Sequence, residues 1–351
     1  MKDRPSCCSE PPAPGPPWRR RETWILLLPA CLWIMAGLWE PLGTFPGHLR
    51  EYFAQIAPAL LAGLLIGGVI DRYVPREYIA AVLSSRRRGE IGRAVLLGLV
   101  MSACSHGILA LAMELHRKGA STPTVVAFLL ASPWANLPIT FILLALFGIK
   151  ALYIIGGAVL VALITGHAFR ALEKRGYVES NPATPELPEG FSIRKDLARR
   201  YRERRWDRRT AIEDLRRILS GAASLAGMVL FWITLGMTLS ALTATLLPAS
   251  FLQSYLGPDA AGMASTLGLA TVLEVCSECT APLALELFRQ TGAFGNAFIF
   301  LMAGVVTDYT EIGLLWSRVG RKSAIAVPLL AVPQVILLGW LANTVFITNV
   351  N

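Results

Sequence analysis

Apolar and polar positions along this chain come in long blocks rather than in short alternation. Apolar runs fall at about 24–44, 53–71, 91–115, 123–147, 151–172, 218–247, 262–288, 293–316 and 323–347. Each is long enough to cross a bilayer as a helix, which takes about 20 apolar residues. Helices satisfy their own backbone hydrogen bonds in lipid, and continuous apolar runs argue against a β-barrel, whose strands alternate. The pattern predicts an all-α, polytopic helical membrane protein.

Charge decides how the runs are threaded. Fourteen of the 33 Lys and Arg residues lie between Arg170 and Arg217. Nine crossings from a cytoplasmic start, set by Arg19, Arg20 and Arg21, would put the basic stretch "RKDLARRYRERRWDRR" outside. Basic loops stay on the cytoplasmic side, so one run before this linker is expected not to cross. The preferred candidate is 91–115, broken at "SACSHG" (102–107); the rival is 123–147, broken at "SPWANLP" (132–138). The first choice keeps "HRKG" (116–119), "SSRRRGE" (84–90) and the linker cytoplasmic. The expected organisation is a disordered cytoplasmic tail (1–23), a first membrane half (24–172), a basic cytoplasmic linker (173–217) and a second membrane half (218–347).

Sliding the chain on itself by 172 residues exposes a repeat. "CSHGILALAMELHRKG" (104–119) lies on "CSECTAPLALELFRQTG" (276–292) with one residue of slippage. Cys104 meets Cys276, Ser105 meets Ser277, Glu114 meets Glu286 and Arg117 meets Arg289. Matching pairs over this length indicate an internal duplication. With three crossings between them, the two copies are expected to be inverted, with broken or re-entrant helices meeting near the midplane.

Composition narrows the class. Hydrophobic residues make up 54% of the 351 residues, and the mean hydropathy is +0.51. The net charge of +9 sits in loops without basic–aromatic platforms, so nucleic acid is not an expected partner. Four of the six cysteines lie in apolar runs, which does not suit a secreted disulfide scaffold. The "LPAC" before Cys31 resembles a lipoprotein cleavage box, but Pro29 and the continuing apolar run favour an uncleaved first span.

The duplicated segments hold the candidate chemistry. The first offers Cys104, Ser105 and His106; the second offers Glu274, Cys276, Ser277, Glu278 and Cys279. A buried Cys is usually a small core residue, and the CxxC spacing of Cys276 and Cys279 is weak evidence alone. Thiolates and imidazole nevertheless suit soft or borderline cations, with Cys104, Cys276 and Cys279 as metal ligands. A second cluster follows each: Ser132, Pro133, Asn136 and Pro138, then Thr307, Asp308, Tyr309, Thr310 and Glu311. Asn136 aligns with Asp308. A carboxylate at mid-helix costs about 2.5–3.5 kcal/mol on insertion scales, so Asp308 and Glu311, with Thr307, are read as an ion-coupling or substrate site rather than a packing network. Glu114 and Glu286, at segment ends, are expected to snorkel to the interface.

At "CSHG…AFLLASPWANLP" (104–138) and "CSECTAPLALEL…GNAFIFLMAGVVTDYTEI" (276–312) the chain resembles the bacterial predicted-permease family that includes the organoarsenical efflux permeases. The resemblance runs over most of 53–347. It implies a bacterial inner-membrane permease of roughly eight spans, exporting trivalent arsenic compounds with the help of cysteines. His106 stands where members often have a second Cys, and the DYTE motif resembles that of uncharacterised members. Both departures bear on the substrate and not on the fold. The expectation is a secondary transporter for a soft metal, metalloid or organoarsenical. The alternatives are a permease for another small solute, such as an anion or sulfur compound, and a membrane dithiol redox protein. No Walker A motif, enzymatic centre or cofactor is expected. The expected partners are the lipid bilayer and the solute, with association into a homo-oligomer left open.

Overall fold

The computed structural model describes residues 21–73, 89–101, 105–117, 119–181, 202, 208–273 and 277–346. Fourteen α-helices are found there, and no strand. They are α1 (Arg21–Ala36), α2 (Phe45–Tyr73), α3 (Glu90–Val100), α4 (Ser105–Arg117), α5 (Thr122–Ala135), α6 (Leu137–Phe147) and α7 (Ala151–Lys174), then α8 (Arg208–Leu246), α9 (Ala249–Leu256), α10 (Ala260–Leu273), α11 (Ser277–Thr291), α12 (Phe294–Val306), α13 (Tyr309–Arg318) and α14 (Arg321–Val345). The protein is an all-α, multi-pass membrane protein. Among the described residues, four helical stretches are long and apolar enough to cross: Glu40–Ile66, Leu137–Lys174, Phe294–Arg318 and Arg321–Val345. Ile233–Leu246 and Ala249–Leu256 make a fifth when taken together, bent by 107°. The end of α8 thus turns sharply into α9 at Pro248, whose missing N–H stops the helix.

Both candidate breaks in the first half occur. The run 91–115 divides into α3 and α4, and 123–147 divides into α5 and α6. The second half repeats this spacing: α4 and α11, α5 and α12, and α6 and α13 each begin 172 residues apart. Continuous apolarity hides such breaks, because a polar N-cap or a proline interrupts the hydrogen-bond ladder without lowering hydropathy much.

Contacts sort the helix ends into two groups. At one end, Arg72 closing α2 pairs with Asp214 near the start of α8, N to O 2.7 Å. Asn181 donates to the carbonyls of His116, in the last turn of α4, and Ala120, just beyond it. Glu179 accepts from the backbone N–H of Lys322 and Ser323, opening α14. Burial pushes the Glu179 carboxyl up, but the Ser323 hydroxyl and these N–H groups outweigh it and hold it below the ordinary glutamate value. Gly166 near the close of α7 lies against Ile91 of α3 and Ala127 of α5. At the opposite end, Gln55 donates to the Ala145 carbonyl, and Lys150 lies 4.4 Å over the Phe288 ring. Asn296 donates to the carbonyls of Leu256 and Gly257. Phe147, Tyr153, Phe288, Phe294, Phe298 and Phe346 pack edge-on or tilted between these helices. The outer ends of α3 and α4 therefore lie with the first group, and those of α10 and α11 with the second.

Candidate functional site

The breaks are built by local chemistry. Asn136 has extended backbone between α5 and α6, and its side-chain oxygen accepts from the Ile139 N–H at 3.0 Å. Pro138 follows, with no N–H to continue the α5 ladder. In the second half Asp308 takes the same position before α13. Its carboxylate accepts from the N–H of Thr310 (2.7 Å) and Glu311 (3.2 Å), and from the Thr310 hydroxyl (2.5 Å). The aligned pair Asn136 and Asp308 are thus matching helix N-caps, a role for which Asn and Asp are about equally good. The capping supplies a reason for both residues that spacing alone did not reveal.

Around each cap the structure collects polar groups. Asn136 and Ser132 are buried, and the Ser132 hydroxyl donates to the Phe128 carbonyl. Gly98 near the end of α3 lies against Ser132, so close that a Cβ there would come within 2.8 Å of its hydroxyl oxygen. In the second half Thr271 near the end of α10 shares a 3.0 Å hydrogen bond with Thr307, which also donates to the Ala303 carbonyl. In both halves, therefore, the end of one half-helix meets the break between the next two. Glu311 is 7% exposed, and no basic side chain among the described residues pairs with its carboxylate. Trp134, buried two residues before Asn136, has an indole N–H with no hydrogen-bond partner among the described residues. Nothing in the sequence marked it, because a Trp in an apolar run reads as core.

Cys279 is fully buried on α11, against Gly236 of α8. On α6, Pro138 lies against Gly63 of α2, and α6 itself packs on α11. α6 and α11 thus meet across the two halves, with the Phe147 and Phe288 rings in contact. Cys104, Glu274 and Cys276 lie outside the described residues, as do the side chains of Ser105, His106, Ser277 and Glu278. Among the described residues no three His, Cys, Asp or Glu side chains gather as a metal site. Glu286 differs from expectation. It does not snorkel: it is 5% exposed and accepts hydrogen bonds from Tyr52 and Gln290.

Comparison with known proteins places the chain in a family. A family described as predicted permease matches residues 48–344, nearly the whole described fold. The chain belongs to the predicted-permease family. The permease is 24% identical over 271 residues to the UPF0718 protein YcgR of Bacillus subtilis, covering 76% of this chain and 86% of that one. It is 27% identical over 254 residues to "Putative permease Rv2963" of Mycobacterium tuberculosis, covering 66% of this chain and 60% of that protein's length. No solved structure matches. Membership in this family points to a transporter rather than an enzyme.

Proposed function

We propose that the protein is an inner-membrane secondary transporter that exports a soft metal, metalloid or organoarsenical. The observation that carries this reading is the recurrence of capped helix breaks 172 residues apart, each meeting the end of a neighbouring half-helix. Gly/Pro-interrupted helices at matching positions are where transporters place substrate, since unwound backbone is tolerated only where it lines a cavity. Cys104, Ser105 and His106 would come from one half, and Cys276, Ser277, Glu278 and Cys279 from the other, with Asn136 beside them. Thiolate and imidazole ligands suit a thiophilic substrate. Asp308, Glu311 and Thr307 would couple transport to an ion. The test is export of a trivalent methylated arsenical from a sensitised strain. Cys276→Ser should reduce resistance by roughly tenfold, the scale of losing one good ligand interaction. Cys31→Ser, on an exposed position, should leave it unchanged. Equal loss in both variants, at equal protein levels, would remove the shared thiol site.

The same reading makes the two halves inverted repeats, 24–172 and 218–347, joined by a cytoplasmic linker. Its support is the grouping of helix ends: α3–α4 have their outer ends at one end of the bundle and α10–α11 at the other. The first end would be cytoplasmic, because the basic linker joins α7 to α8 there. On a background free of native cysteines, Trp206→Cys should resist an impermeant thiol reagent in intact cells and label after lysis. Labelling before lysis would overturn the orientation.

A further inference from the structure

Glu286 is one of the residues lining an open cavity of about 540 Å³ at the second end of the bundle. Its lining includes His48, Ala244, Thr245, Leu246, Glu286 and Gln290. Glu286 is nine residues along α11 from Ser277, about 13 Å at 1.5 Å per residue, so this is not the site of the helix breaks.

The lining is rich in acceptors. One carboxylate oxygen of Glu286 accepts from the Tyr52 hydroxyl and the other from the Gln290 amide nitrogen, which leaves a lone pair on each. The Gln290 amide oxygen is buried and has no hydrogen-bond partner among the described residues. Ala244, Thr245 and Leu246 close α8, where backbone carbonyls run out of intrahelical donors. Pro248 at the turn has no N–H to offer. The nearby cation is already engaged: Arg289 pairs with Glu51 at 2.9 Å, donates to Gln55 and lies over the Tyr52 ring. One buried carboxylate beside an unpartnered amide oxygen and helix-end carbonyls is an oxygen-ligand set of single negative charge. Hard cations take such ligands, and one negative charge balances a singly charged ion.

We propose that this cavity binds an alkali cation through the Glu286 carboxylate, the Gln290 amide oxygen and carbonyls at the end of α8. Glu286 lies seven residues along α11 from Cys279, about 10 Å, and the proposal holds whatever the transported solute is.

The test needs no transported substrate. The full chain, purified into nanodiscs, is unfolded thermally in sodium, potassium or lithium chloride, with N-methylglucamine replacing the metal at constant ionic strength. At least one alkali cation should raise the wild-type midpoint saturably by roughly 3 °C, as a ligand that binds only the native state does. Glu286→Gln should lose that response. Gln290→Leu, at a partly exposed position, should raise the half-saturating concentration about fivefold, the scale of one lost neutral ligand of roughly 1 kcal/mol. A wild type indifferent to all three metals overturns the proposal. So does a folded Glu286→Gln protein with the full response. Should Glu286→Gln fail to fold, an unchanged half-saturation in Gln290→Leu overturns it equally.

Discussion

Asp308→Asn is expected to leave a folded permease that no longer accumulates substrate against a gradient. The cap explains the first half of this result. Asp308 satisfies the first N–H groups of α13, and Asn136 does the same for α6 with a neutral amide. An asparagine at 308 therefore keeps the helix start, whereas Asp308→Ala should lose about 1 kcal/mol of capping. The second half follows from proton chemistry. An amide holds geometry but takes up no proton near neutral pH. Asp308 and the buried Glu311 lie on one face within one turn, beside Thr307, and the equivalent cap in the other half carries no charge. In proteoliposomes Asp308→Asn should lower uphill accumulation of a trivalent arsenical at least tenfold while downhill exchange persists, the scale of losing one charged group that acts only in the coupled step. Uphill transport at the wild-type rate, with the same pH dependence, would reduce Asp308 to a cap.

Gly236→Ala should destabilise the protein by about 1–3 kcal/mol, the usual range for overpacking a close contact. A Cβ at Gly236 would lie 2.4 Å from the backbone oxygen of Cys279 and 2.8 Å from its Cα. Neither atom is the far end of a flexible side chain, so α8 and α11 must separate. The unfolding midpoint should fall by roughly 5 °C, given about 2–4 °C per kcal/mol in larger domains. Gly156→Ala is the control. A Cβ there meets nothing within 4 Å, and removing a helical glycine should be neutral or stabilising by about 0.5–1 kcal/mol. Equal midpoints for Gly236→Ala and wild type would show that α8 and α11 can separate at no cost.

The class of the protein was legible in the residues themselves. Long apolar runs specify membrane helices because the bilayer accepts little else, and the paired Cys-Ser motifs pointed to matching positions in the two halves. The locations of the breaks were partly legible. The sequence placed one break in either 91–115 or 123–147, and the structure ends a helix in both, because hydropathy averages over an interruption of a few residues. The pairing of Asn136 with Asp308 was visible as an alignment, but not as two N-caps: capping depends on φ and ψ, which the residue types only bias. Glu286 was misjudged for a different reason. A glutamate near the end of an apolar run reads as a snorkelling side chain until one knows what faces it, and Tyr52 arrives from 234 residues away. Likewise nothing in "SPWANLP" tells that the Trp134 N–H lacks a partner among the described residues, or in "TLGMT" that Gly236 touches Cys279. The sequence by itself determined the solvent of each segment, since transfer free energy is additive along the chain. Only the tertiary structure decided which polar groups meet, since hydrogen bonding and close packing belong to pairs of residues brought together from distant parts of the chain.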